Sequence, residues 1–103
     1  MKQRLAEPPT AVMTSNDMTA IGALGTIHDA GLQVPRDISL IGFDDISFAH
    51  LTQPPLTTIR LSRSQLAITA LAALERLMRG ENEEDVDYTI PTHLVMRGST
   101  RTL

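Results

Sequence analysis

Thr10-Ala11-Val12-Met13 followed by Ser15-Asn16-Asp17, and Ile38-Ser39-Leu40-Ile41 followed by Gly42-Phe43-Asp44-Asp45, share one pattern: an apolar run of strand length that empties into a short polar patch. The stretch between them, Asp17 to Ala30, carries Met18, Ile21, Leu24 and Ile27 at three-residue spacing, with Ala20, Ala23 and Ala30 broadening the stripe. That spacing predicts an amphipathic helix. Two buried strands joined by a helix are parallel neighbours, because only a crossover of this length returns the chain to the same end of a sheet. Both polar patches are therefore predicted on one rim. Open parallel sheets take ligands just beyond the carboxyl ends of their strands, which sets Asn16 and Asp44 side by side, facing a ligand.

Working outward, Ser15 or Asn16 caps the predicted helix, Asp17 in its first turn complements the dipole, and Gly31 supplies a left-handed stop. Gly22 and Gly25 lie inside the helix, where each costs about 1 kcal/mol relative to alanine, so a flat face for close packing is the expected compensation. Upstream, residues 3–7 read as a last helical turn ended by Pro8-Pro9. Downstream, an irregular segment closed by Pro54-Pro55 leads into a third extended run, Leu56 to Arg60. Ser62 with Gln65 forms a capping box, and Leu66, Ala67, Ala70, Leu71, Leu74, Leu77 and Met78 mark the apolar face of a second helix ending near Gly80. Three strands and one helix already cover one another, so this face has no evident partner in the chain. Glu81 to Asp87 holds five acids in seven residues and is read as a solvated loop; Tyr88 to Val95 is a last extended segment.

Composition bounds the function. A chain of 103 residues can bury roughly two-thirds of its extended surface, and 42% hydrophobic with 20% charged residues is ordinary for a folded domain. The net charge is -3 and the nine lysines and arginines are scattered, which disfavours direct phosphate-backbone binding. No cysteine is present, so thiolate metal sites and thiol nucleophiles are excluded. His28, His50 and His93 lack metal-site spacing, and neither a metal nor a cofactor is expected. No segment has the apolar length of a signal peptide or membrane span, and the expected location is cytoplasmic.

Asn16 has two readings, a helix cap and a ligand contact. A strand-end amide beside the carboxylate of Asp44 offers donors and acceptors together, as a polyhydroxylated or purine-like ligand requires. Adjacent Asp44 and Asp45 invite comparison with a catalytic acid pair, but neighbours leaving a strand diverge in direction, and no enzyme activity is expected.

From Pro9 to Thr100 the sequence resembles the C-terminal part of the effector-binding region of the lactose-repressor and galactose-repressor (LacI/GalR) family of transcription regulators. The resemblance is carried by Ser15-Asn16-Asp17-Met18, by Ala30-Gly31-Leu32-Gln33-Val34-Pro35-Arg36-Asp37-Ile38-Ser39-Leu40-Ile41-Gly42-Phe43-Asp44-Asp45, by Pro54-Pro55-Leu56-Thr57-Thr58-Ile59 and by Arg97-Gly98-Ser99-Thr100. It implies an α/β, periplasmic-binding-protein-like (type I) fold, with a parallel sheet, flanking helices and two lobes enclosing a sugar or purine-like effector. Residues 1–103 would then be the C-terminal portion of a ligand-binding and dimerisation domain, truncated, with the N-terminal lobe and the DNA-binding headpiece absent. The positions matching Asn16 and Asp44 contact effector, Leu61 replaces a frequently polar cleft residue, and Met18, Ile21, Leu24 and Leu51 match a homodimer surface. DNA would be reached only through the absent headpiece. The alternative is part of a sugar-binding transport receptor of the same fold.

Overall fold

A computed structural model of the chain describes residues 8–81 and 86–103. The elements follow in the order β1 (Ala11–Met13), α1 (Asp17–Asp29), β2 (Ser39–Ile41), β3 (Thr58–Leu61), α2 (Arg63–Met78) and β4 (Thr92–Val95). The predicted helical turn over residues 3–7 and most of the acidic run, residues 82–85, lie outside the described residues. The final extended segment is strand only over Thr92–Val95.

β1 and β2 pair in parallel, with Ala11 opposite Ser39, Val12 opposite Leu40 and Met13 opposite Ile41. Parallel bridges Ile41–Thr57 and Asp44–Arg60 carry the same direction on to β3, which pairs with β4 in a second two-stranded sheet. α1 is the crossover. Its period places Ala20, Leu24 and Ile27 inward, and these pack with Val34, Ile38, Leu40, Ala49 and Leu56. The expectation that both apolar runs are interior holds for β2 and fails for β1. Ile38 and Leu40 are buried, whereas Met13 is 72% exposed, because β1 has a neighbour on one side only and just Val12 leans on the core.

The chain divides into two compact units, one ending at Arg60 and resuming at His93, the other Leu61–Thr92. In the second unit, α2 begins where the sequence places it: Ser62 is the N-cap and its hydroxyl accepts from the Gln65 amide at 3.2 Å. Gly80, at φ 84°, follows its end. Arg76 donates to the Tyr88 hydroxyl at 2.8 Å and lies 6.0 Å from the centre of its ring. α2 buries no residue: Leu71, Leu74 and Leu77 are all more than half exposed.

Candidate functional site

The carboxyl ends of the parallel strands meet as the sequence predicts. The Thr14 amide donates to the Ile41 carbonyl at 2.9 Å, and the Asp17 amide to the Phe43 carbonyl at 2.9 Å, so the two polar patches share one rim. Asn16 sits there half-buried. Its Oδ1 accepts from the Thr19 amide at 2.8 Å, which satisfies one orphan donor of α1. The capping reading of Asn16 is thus realised, and its amide nitrogen is not used by that bond.

Beneath the rim lies a residue whose weight sequence reasoning missed. Asp17 is completely buried; Oδ1 accepts from the Thr58 hydroxyl at 2.6 Å and Oδ2 from the Ile46 amide at 2.9 Å. One carboxylate thereby joins α1, the segment after β2 and β3, using charge-assisted bonds that are about twice as strong as neutral ones. Gly42 makes this possible through space rather than backbone freedom: a Cβ there would collide with Asp17 Oδ1 and meet Leu56 Cδ2 at 3.0 Å.

The two adjacent acids have different fates. Asp45 is nearly buried, with Oδ1 2.8 Å from Arg97 Nη2 and Oδ2 2.8 Å from Arg60 Nε. Burial pushes its carboxyl up, but the hydrogen bonds from Arg97 and Arg60, with their charges, outweigh this and hold it below the usual carboxylate range. Asp44 is half-buried and its amide donates to the Ile59 carbonyl at 2.9 Å. Its φ of 120° and the 55° of Asp45 lie where side-chain-bearing residues rarely go. With Asp45 committed to two arginines, the pair is not arranged as a catalytic dyad.

The segment Arg97 to Thr100, singled out in the sequence only by resemblance, closes the sheet. The Ser99 hydroxyl donates to the Leu40 carbonyl at 2.6 Å and accepts from the Thr57 amide at 2.7 Å, while the Leu40 amide donates to the Ser99 carbonyl at 2.8 Å. Leu61, the third predicted pocket residue, ends β3 half-buried and belongs to the second unit. Of the predicted dimer surface, Met18 and Leu51 are 65% and 67% exposed and Ile21 is half-buried. Leu24 is corrected: it shares the inward stripe with Ala20 and Ile27 and is 8% exposed. A Cβ on Gly22 or Gly25 would meet nothing within 4 Å, so the close packing expected there is not made among the described residues.

An open depression of about 580 Å³ lies elsewhere, lined by His28, Gly31, Leu32, Gln33, Val34, Gln53 and Pro54. Since α1 starts at the rim, its C-terminal end marks the other end of the strands.

Parallel strands whose polar carboxyl ends converge, backed by a crossover helix, define an α/β domain of the periplasmic-binding-protein-like type. The chain belongs to the periplasmic binding protein-like domain family, whose model matches residues 1–100. It is 40% identical over 99 residues to the HTH-type transcriptional repressor CytR of Escherichia coli K12, covering 96% of this chain and 29% of that protein. The chain therefore spans under a third of that relative. The lac repressor dimer bound to operator and the anti-inducer ONPF superposes with a TM-score of 0.83 at 36% identity, covering 97% of this chain and 35% of that one. A LacI family transcriptional regulator from Lactobacillus casei with bound sucrose gives a TM-score of 0.73 at 30% identity, over 96% and 38%. The LacI/GalR resemblance and the fold class read from the residues are borne out by these relatives. Among the described residues no helix is long and apolar enough to cross a membrane.

Proposed function

We propose that this chain is the C-terminal, effector-binding and dimerising part of a bacterial LacI/GalR-type transcription regulator. It takes a sugar or purine-like small molecule at the rim formed by Asn16 and Asp44, and acts in the cytoplasm without catalysing a reaction. The observation that carries this reading is Asp44 itself: a residue with a side chain, held at φ 120° at the mouth of a parallel sheet. Such geometry costs about 1–3 kcal/mol and clusters at ligand clamps. Asn16 contributes an amide donor next to it, and the sucrose complex of the similar L. casei regulator supports a sugar-sized guest. Met18, Ile21 and Leu51 support a second copy docking along the exposed side of α1. DNA contact is assigned to a separate headpiece, in keeping with the dispersed basic residues.

Calorimetry of the 103-residue chain with sucrose, cellobiose and guanine tests the reading. A guest that binds the wild type is expected to bind Asp44→Asn roughly tenfold or more weakly, the cost of one charge-assisted bond. Equal affinity of both proteins for that guest contradicts the assignment.

A further inference from the structure

Asp44 and Asp45 hold unfavourable backbone angles in succession, 120° and 55°. Such a pair persists only where its surroundings over-determine it. The Asp44 amide donates to the Ile59 carbonyl at 2.9 Å, and the Asp45 amide to the Thr58 hydroxyl at 3.3 Å. A further hold is on the Asp45 carboxylate, gripped on its two oxygens by Arg97 and Arg60 at 2.8 Å each.

The two arginines are unequal. Arg60 is 57% exposed, and water screens its pairing. Arg97 is 17% exposed and is itself anchored: its amide donates to the Thr57 hydroxyl at 3.0 Å, and its Nη1 to the Leu56 carbonyl at 3.0 Å. The next residue, Gly98, donates its amide to the Pro55 carbonyl at 2.9 Å. Arg97 is thus a fixed post 52 residues from Asp45 in sequence.

We infer that Arg97, acting through Asp45, is a positioning residue that sets the direction of Asp44 for its ligand. The inference rests on the reading of Asp44 as a ligand contact. It assigns to the closing segment of the chain a share in ligand affinity with no ligand contact of its own. Arg60 closes the other side of the grip and contributes less.

Amide hydrogen exchange on the labelled 103-residue chain separates positioning from simple support. The Asp44 N–H reports the loop, and the Thr14 N–H, bonded to the Ile41 carbonyl, reports the sheet beside it. Arg97→Met is expected to speed exchange at Asp44 about tenfold more than at Thr14. Arg97→Lys, which keeps one charged donor, is expected to recover most of the difference. Arg101→Met, which removes an arginine bonded to the Pro35 and Arg36 carbonyls instead, should leave Asp44 unchanged. If Arg97→Met unfolds the chain, Asp45→Asn is read in the same way. Equal acceleration at Asp44 and Thr14, or no change at Asp44, overturns the inference.

A second arm uses sucrose and guanine as probes of the Asp44 amide signal. A probe that moves this signal in the wild type and moves it roughly tenfold less at the same concentration in Arg97→Met supports the inference; equal movement overturns it. If neither probe moves it in the wild type, the ligand reading falls and takes with it the functional half of the inference, whereas the exchange arm still decides whether Arg97 positions Asp44.

Discussion

α1 and α2 are both capped helices with apolar faces, yet α1 buries Asp17, Ala20, Leu24 and Ile27 while α2 buries nothing. Periodicity alone ranks them the other way, because the aliphatic run of α2 is longer and better spaced. What separates them is what lies opposite: α1 crosses between two paired strands, and its first residue is bonded to both following segments. Amphipathicity states that a face seeks a partner. It does not state that the chain supplies one.

Urea unfolding of single variants tests the contrast between the two helices. The largest effect is expected at Asp17→Ala, which strips the buried Thr58 hydroxyl and the half-buried Ile46 amide of their acceptor and should cost about 3–5 kcal/mol. Next, Leu24→Ala should cost about 2–5 kcal/mol, whereas Leu71→Ala on α2 should stay within about 0.5 kcal/mol. A loss at Leu71 matching that at Leu24 would erase the distinction between the helices. Gly42→Ala should cost about 1–3 kcal/mol, since the added methyl must displace Asp17 Oδ1 or Leu56 Cδ2. Asn16→Ala should cost about 1 kcal/mol through loss of the α1 cap.

Acid gives the mildest effect. The Asp45 carboxyl titrates below its ordinary value of 3.8, held down by Arg97 and Arg60. Its contribution is therefore complete above that value and is lost as the pH falls through the lower folded one. Melting temperatures of the wild type and Asp45→Asn should differ at pH 6 and converge as the pH is taken progressively below 3.8. A constant difference would remove the ion pairs from the account.

Much of the fold was legible because it is local. The α1 cap at Asn16, the left-handed Gly31 at φ 79°, the Ser62 cap and the parallel order of the strands all follow from residues close in sequence. Asp17 was not legible in its true role. A first-turn acid is generic, and its partners Ile46 and Thr58 lie 29 and 41 residues away. The grip of Arg97 on Asp45 was hidden for the same reason. Leu24 was misplaced because a resemblance matches positions, while the stripe shared with Ala20 and Ile27 decides which way a side chain turns. β1 was read as interior because an apolar run records hydrophobicity and not the number of neighbouring strands.

The polar ends of β1 and β2 are proposed to form one ligand-taking rim, and amide signals of the 103-residue chain followed during titration with sucrose or guanine decide whether they do. Shifts are expected at Asn16 and Asp44, with His28, Gln33 and Gln53 unmoved. Shifts confined to those last three, with a silent rim, would overturn the assignment.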